Sequence, residues 1–94
     1  MKHSRVVVRW PQGLHLRPAA RLVRTAQSFR SAIHLKCGDR TADLRSIFSV
    51  LALCATFGMP MDIEAFGEDE QAAAEAVERV FTGGETLGET SEKR

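Results

Sequence analysis

One histidine of this sequence stands where it could do phosphate chemistry. His15 follows the flexible pair Gly13-Leu14 and comes just before a predicted helix. Unpaired backbone N–H groups at a helix N-terminus, together with the helix dipole, favour negative charge. Arg17 adds a planar guanidinium that suits phosphate oxygens. Because a neutral imidazole nitrogen is a competent nucleophile near pH 7, the pattern predicts a phosphoryl-accepting histidine. The alternative is a histidine that merely decorates the turn.

The other histidines and the cysteines do not predict a metal site. His3 lies near the terminus, and His34 lies on the polar side of a predicted strand. His34 and Cys37 are an odd number of residues apart, so on a strand they point to opposite faces. Cys37 and Cys54 are too few for a four-ligand zinc site or a disulfide framework. We therefore expect a reduced, cytoplasmic protein without a metal or other cofactor.

Ser46 precedes a second predicted helix, and two roles are compatible with this position. As an N-cap, its side-chain oxygen accepts a backbone N–H of the first turn, which is worth ~1 kcal/mol. As a phosphorylation site, it would place close to two negative charges at the helix N-terminus. The fold tolerates that charge, whereas an acidic partner would be repelled. The residues alone leave both roles open.

The helix after Ser46 is apolar around most of its circumference, and Ser49 and Thr56 are its only polar residues. A surface helix of a small domain cannot bury its whole circumference. We therefore expect part of Ile47, Phe48 and Leu51 to stay exposed as a partner-docking patch. The alternative is that a neighbouring helix and the C-terminal tail cover this surface completely.

Length and composition fit one globular domain, with 94 residues, 44% of them hydrophobic and 27% charged. No apolar run approaches the ~20 residues that span a bilayer, so we expect no membrane insertion.

Residues 1–45 carry a net charge of +8 and residues 46–94 a net charge of −7. This asymmetry predicts either an electropositive face for an anionic partner or pairing of the two halves. The near-neutral total argues against general nucleic-acid binding, and the strands lack paired exposed aromatics for RNA bases.

Hydrophobic periodicity predicts seven elements in the order β-α-β-β-α-β-α. The predicted strands cover residues 5–9, 32–37, 40–44 and 60–66. The predicted helices run from Pro18 onward, over 47–57 with Gly58 closing the helix, and from Glu68 to Gly83-Gly84, the last with a buried stripe of Ala73, Ala76, Val77, Val80 and Phe81. The order predicts an α+β, two-layer, open-faced β-sandwich, with three helices on one face of a four-stranded antiparallel sheet. We expect a domain over residues 1–84 and a flexible tail over 85–94.

Three blocks of the sequence carry a likeness to a known family. They are Gly13-Leu14-His15-Leu16-Arg17-Pro18-Ala19-Ala20, then Arg45-Ser46-Ile47-Phe48 with Leu51 and Gly58, then Gly67-Glu68-Asp69-Glu70-Gln71-Ala72. They resemble the HPr family, the histidine-containing phosphocarriers of the bacterial phosphoenolpyruvate-dependent sugar phosphotransferase system. The likeness extends from residue 1 to about residue 82, and the first block is highly specific in a chain of this length.

The resemblance implies a monomeric phosphoryl carrier, which is not an enzyme in the turnover sense. His15 would accept a phosphoryl group on Nδ1 from phosphorylated Enzyme I and pass it to a sugar-specific IIA component. Arg17 would help to hold the phosphate, and Ser46 would be the regulatory site that HPr kinase/phosphorylase modifies in some bacteria. The family's docking surface for Enzyme I and IIA would comprise an apolar set ringed by arginines: Leu16, Ala20, Ile47, Phe48, Leu51, Arg21, Arg24 and Arg45.

Three positions depart from the family pattern. Leu16 stands where many relatives carry Thr or Ala, Ser49 replaces a frequent lysine, and Cys54 replaces a frequent glycine. We expect Cys54 to be a small packed residue rather than a reactive thiol. These departures bear on the choice of partner and leave the carrier chemistry in place.

Two rival functions remain open. A regulatory module of the same fold would sense metabolic state through Ser46 and control a kinase or transcription factor without sugar transport. A phosphatase that works through a phosphohistidine would need an acid or a second base to activate water. No Asp, Glu or other His lies near His15 in the sequence, which disfavours the phosphatase.

Overall fold

A computed structural model of the chain describes residues 1–84, and the predicted tail over 85–94 lies outside the described residues. The strands are β1 (Lys2–Val7), β2 (Ala32–Cys37), β3 (Arg40–Asp43) and β4 (Pro60–Phe66). The helices are α1 (Leu16–Ala26), α2 (Ile47–Ala52) and α3 (Glu70–Arg79). Val80–Gly84 follows α3 as a π-type turn, in which Gly83 leaves helical geometry at φ +147°. The predicted order of elements is confirmed.

The strands form one antiparallel sheet in the order β1-β4-β2-β3. Side chains alternate along each strand, so that Met61, Ile63 and Ala65 of β4 are buried, and so are Ile33 and Leu35 of β2. The helices cover this buried face, and the opposite face of the sheet stays open. The predicted open-faced sandwich with three helices is therefore confirmed.

The open face of the sheet pairs basic residues of the first half with acids of the second half. The Asp62 Oδ1 atom lies 3.2 Å from His3 Nε2 and 3.2 Å from Arg5 Nε. Lys36 Nζ lies 3.7 Å from Glu64 Oε2. Cross-strand neighbours of opposite charge are favourable on a sheet, so part of the charge asymmetry is satisfied within the fold.

Helix packing and an aromatic contact close the core. The Trp10 and Phe81 ring centroids lie 5.2 Å apart, which ties the loop before α1 to the end of α3. The buried stripe of α3 includes Ala74, whereas Ala76 is only half-buried, so the prediction was wrong at that position. No helix within residues 1–84 combines the length and apolarity needed to cross a membrane.

Two predicted boundaries shift toward the N-terminus. β1 begins at Lys2 instead of Arg5, because Lys2 and its neighbours pair along β4, starting opposite Ala65. Backbone hydrogen bonds to a neighbouring strand can hold residues in a strand even when their own side chains have little preference for it. α1 begins at Leu16, and Pro18 occupies its third position. A proline fits the first helical turn because that turn's N–H groups have no intrahelical acceptor.

The predicted helix over 47–57 is wrong after Ala52. The Ala55 carbonyl accepts the Leu14 N–H at 2.9 Å, so this carbonyl is committed to a tertiary contact and not to a helical bond. Cys54 takes a left-handed conformation with φ +53° and is exposed, contrary to the expected packed residue. The chain thus turns after α2 at Cys54 rather than at Gly58. This turn places Ala55 against the loop before α1.

Asp69 joins the start of α3 to the loop after α1. Its carboxylate accepts the N–H groups of Arg30 at 2.9 Å and Ser31 at 3.0 Å, and it also accepts the Ser31 hydroxyl. The hydroxyl bond and then the Arg30 bond stabilise the charged form, which lowers the pKa of Asp69 below its ordinary value of 3.8. This carboxylate therefore stabilises the fold above that value, and the contribution is lost as the pH falls toward the lowered pKa.

Asp69→Asn is expected to lower the urea midpoint of unfolding at about pH 7, with a smaller loss at about pH 3, where the wild-type carboxylate is itself being protonated. Urea titrations of both proteins at the two pH values measure this difference. Glu75→Gln is the matched control, because Glu75 accepts only from Gln71 on an exposed helix face. An equal loss for Asp69→Asn at both pH values would contradict the assignment.

Candidate functional site

His15 is the N-cap residue of α1, and its ring is half-buried. Gly13 has a φ of +78°, a conformation that favours glycine, and buried Leu14 anchors the loop through its bond to the Ala55 carbonyl. The first helical bond runs from the Ala19 N–H to the His15 carbonyl at 3.0 Å. The chain therefore enters the helix at the histidine, as the spacing predicted.

Two backbone N–H groups beside His15 have no intrahelical partner. Leu16 and Arg17 precede Ala19, the first residue whose N–H is bonded along the helix, and Pro18 has no N–H. Within residues 1–84, no backbone carbonyl accepts from Leu16 or Arg17. Two such amides and the positive end of the helix dipole favour negative charge next to the imidazole.

The His15 ring contacts the carbonyl of Gly13, with Nδ1 3.0 Å from the oxygen. A carbonyl oxygen only accepts hydrogen bonds, so this contact is a hydrogen bond when Nδ1 carries the proton. The lone pair of the neutral ring then lies on Nε2. For Nδ1 to act as a nucleophile, its bond to Gly13 must break and the ring proton must sit on Nε2.

The residues that hold the loop in place were not found from the sequence. A Cβ added to Gly13 would lie 2.6 Å from the Ala55 carbonyl oxygen and 3.2 Å from the Thr56 Cα. The segment after α2 therefore packs directly against the backbone two residues before His15. Ala55 contributes through its carbonyl, which every residue type has, so the sequence contains no signal for it.

The exposed side chains of α1 and α2 include large apolar groups. Leu16 is 63% exposed and Phe48 is 80% exposed. Ala20, Ile47 and Leu51 are half-buried, and the last two pack against the core. Since α1 packs against α2, these residues belong to neighbouring helices. The expected partial exposure of the apolar set is confirmed, mainly through Phe48.

The basic residues around this surface differ from those on the sheet. Arg17, Arg24 and Arg45 are exposed, and no ion pair joins them to an acid within the described part of the chain. Arg21 is half-buried on α1. By contrast, Arg30 pairs with Glu68 at 3.8 Å. Within residues 1–84, Arg17, Arg24 and Arg45 therefore leave positive charge without an acidic partner around α1 and the start of α2.

Comparison with known proteins identifies the family. The family model described as "PTS HPr component phosphorylation site" matches residues 2–82. The chain belongs to the HPr family. This places it among the phosphocarrier proteins of the phosphotransferase system.

Individual relatives agree with this family. The chain is 38% identical over 82 residues to the phosphocarrier protein HPr of Lysinibacillus sphaericus, covering 87% of this chain and 93% of that protein. The crystal structure of HPr from Bacillus anthracis superposes with a TM-score of 0.81 at 30% identity, covering 86% of this chain and 96% of that one.

One structural relative is named for a different role. Crh of Bacillus subtilis, a catabolite repression protein described as a domain-swapped, intertwined dimer, superposes with a TM-score of 0.70 at 33% identity. The superposition covers 86% of this chain and 93% of the Crh chain. HPr-like folds therefore include at least one dimer, and the monomeric state of this HPr-family chain stays a prediction.

Ser46 caps α2 of this HPr-family chain, as predicted. Its Oγ accepts the Ser49 backbone N–H at 3.2 Å. The Ser46 hydroxyl thus lies at the start of the helix that carries Phe48. Within residues 1–84, no group of three or more His, Cys, Asp or Glu side chains is arranged to hold a metal ion.

Ser46→Ala is expected to destabilise the fold by ~1 kcal/mol, because the Ser49 N–H loses its acceptor. In a domain of this size the loss corresponds to a melting temperature lower by about 5 °C. Thermal unfolding followed by circular dichroism measures it. Ser49→Ala keeps the backbone donor and serves as the control, and Ser46→Asp should recover most of the stability. Equal destabilisation by Ser46→Ala and Ser49→Ala would show that the cap contributes nothing.

Proposed function

We propose that this chain is a phosphoryl carrier that accepts a phosphoryl group on His15 from phosphorylated Enzyme I and passes it to a sugar-specific IIA component. The observation that carries the proposal is the position of His15. Its half-buried ring caps α1 beside two backbone amides that have no helical partner. The protein is consumed and regenerated by successive transfers, so it is a carrier and not an enzyme.

The transfer is an in-line displacement at phosphorus, with His15 as the nucleophile. In accepting the phosphoryl group on Nδ1, the ring gives up its bond to Gly13 and keeps one proton on Nε2. The N–H groups of Leu16 and Arg17 and the Arg17 guanidinium stabilise the charge of the phosphoryl oxygens. In the second transfer, Nδ1 is the leaving group, so the same contacts serve both directions.

Incubation with phosphoenolpyruvate and Enzyme I tests the proposal. We expect one phosphoryl group per chain, labile to acid and stable to base as a phosphoimidazole is, and its loss when a IIA component is added. Mass spectrometry before and after acid treatment counts the groups. A protein that takes up no phosphate, or only acid-stable phosphate on Ser46, would overturn the carrier function.

Arg17→Ala is expected to slow phosphoryl uptake about tenfold or more, because it removes a positive charge from the developing phosphoryl oxygens. Arg17 is exposed, so the unfolding midpoint should stay unchanged. Rates with Enzyme I should show a lower kcat rather than a higher KM. Arg30→Ala removes an equal charge from the loop after α1 and is the control. An unfolded Arg17→Ala protein, or an unchanged rate, would contradict the role.

We also propose that both partners dock on the surface of α1 and α2 that carries Leu16 and Phe48. Support comes from the exposure of these two side chains. Further support comes from Arg17, Arg24 and Arg45, which form no ion pair within residues 1–84. The expected docking residues are Leu16, Ala20, Arg21, Arg24, Arg45, Ile47, Phe48 and Leu51. An acidic partner suits this surface. Phosphorylation of Ser46 by a kinase would place negative charge at its edge and weaken docking.

A regulatory module that does not serve sugar uptake is the second candidate. The likeness to Crh favours it, because that protein is described as acting in catabolite repression. Such a module would be phosphorylated on Ser46 by an ATP-dependent kinase and would bind its target in that form. The phosphoenolpyruvate experiment separates the two candidates, because only the carrier acquires acid-labile phosphate.

A further inference from the structure

The outer edge of β1 carries backbone groups that the sheet does not use. β1 is the first strand in the order β1-β4-β2-β3, so β4 is its neighbour on one side only. Val8, the residue after the strand, donates its N–H to the Met59 carbonyl at 2.9 Å and is therefore bonded toward β4. Bonds between antiparallel strands alternate along the chain, so His3, Arg5 and Val7 direct their N–H and carbonyl groups away from β4.

The cross-strand partner of Val7 agrees with this direction. Val7 lies opposite Pro60, which has no N–H to donate. No loop or helix group within residues 1–84 bonds to the backbone of His3, Arg5 or Val7. An open strand edge of this kind is a template for pairing with a further strand.

The side chains along this edge are basic or apolar. His3, Arg5, Val7 and Arg9 are exposed and alternate with residues turned toward the core, so they share the open face of the sheet. Val7 is 47% exposed. β1 contains no acid, so the same strand of a second copy would bring basic side chains together, which is unfavourable. The edge therefore suits an acidic extended segment.

The residues that follow Gly84 supply such a segment. They read Glu-Thr-Leu-Gly-Glu-Thr-Ser-Glu over 85–92. α3 begins near Met1 and ends near Trp10, so it runs in the same direction as β1. Gly83 has a φ of +147°, which suits a reversal of the chain. A chain that reverses there runs antiparallel to β1.

We propose that residues 85–91 form a fifth strand, which pairs antiparallel with the outer edge of β1 and places Glu85 opposite Arg9. The chain from Phe81 to Glu85 spans up to about 13 Å when extended. Phe81 packs on Trp10, the neighbour of Arg9, so Arg9 is within reach. An ordered strand then takes the place of the first part of the expected flexible tail.

This register gives favourable pairs along the open face, because directly opposite residues of an antiparallel pair lie on the same face. The cross-strand pairs are Glu85–Arg9, Leu87–Val7 and Glu89–Arg5. Two of them join opposite charges, and the third covers the exposed valine with an apolar side chain. A shift of one residue would turn both glutamates toward the helix layer, which disfavours that register.

Amide hydrogen exchange of the full chain, followed by NMR, tests the fifth strand. We expect the N–H groups of Arg5 and Val7 to exchange at least about 100-fold more slowly than in an unstructured peptide. Leu87→Pro removes a donor that faces β1 and should lower this protection about tenfold or more. Gly88→Pro is the matched control, because the N–H of residue 88 faces away from β1 in this register and protection should remain.

Charge reversal tests the register separately. Arg9 forms no ion pair within residues 1–84, so its pairing with Glu85 can be changed without breaking another contact. Arg9→Glu and Glu85→Arg should each weaken the protection of the Val7 amide at low salt. The double variant should restore it, because the opposite charges are again paired.

Three results would overturn the fifth strand. The first is exchange of the Arg5 and Val7 amides in the wild type at the rate of an unstructured peptide. The second is an equal loss of protection in Leu87→Pro and Gly88→Pro. The third is protection that rises with protein concentration together with a two-chain species in sedimentation, which would assign the edge of β1 to a second copy.

Discussion

His15→Ala is expected to abolish acid-labile phosphate uptake from phosphoenolpyruvate and Enzyme I. The reason is chemical: among residues 1–84, His15 is the histidine at the start of α1, whereas His3 and His34 lie on strands β1 and β2. The imidazole makes no side-chain capping bond to α1, so the substitution costs the helix little. We expect an unfolding midpoint close to that of the wild type. Mass spectrometry of the phosphorylated protein and urea unfolding measure the two quantities.

His34→Ala is the matched control for this experiment. His34 is half-buried on the open face of the sheet, where its ring lies 6.1 Å from that of Phe66. This substitution removes an imidazole elsewhere in the fold, and phosphoryl uptake should be unchanged. Residual acid-labile phosphate in His15→Ala would place the accepting nitrogen on another residue and overturn the proposed mechanism.

Gly13→Ala should damage both stability and phosphoryl transfer. The new Cβ would lie 2.6 Å from the Ala55 carbonyl oxygen at a φ of +78°, so the chain must move. Crowding and the left-handed conformation together should destabilise the fold by about 3 kcal/mol. Because displacement of the loop also moves His15, we expect transfer to slow about 100-fold. Urea unfolding and single-turnover phosphorylation measure the two effects.

Gly38→Ala is the control that separates the effect of steric crowding on stability from the effect of the left-handed backbone conformation. Gly38 has a φ of +64° in the β2–β3 turn, and an added Cβ would meet nothing within 4 Å. We expect a loss of about 1 kcal/mol and a normal transfer rate. If Gly13→Ala were no more harmful than Gly38→Ala, the packing of Ala55 against the loop would not position His15.

The elements that could be predicted are those with a strong local pattern. Alternation placed the buried residues of β2 and β4, and a three- and four-residue spacing placed α1. Ser46 was predicted as an N-cap because the preference of serine for that position depends on a local bond. The prediction failed at α2, where apolar spacing continues through Ala55 although the helix ends at Ala52.

The sequence by itself determined the nature of the reactive group: a histidine before a helix, an arginine two residues later, and the likeness to the HPr family. Local backbone preference and side-chain type suffice for these. The tertiary structure decided the sheet order, the ending of α2 and the packing of Gly13 on Ala55. Such contacts join backbone groups and distant segments, and neither leaves a periodic pattern along the chain.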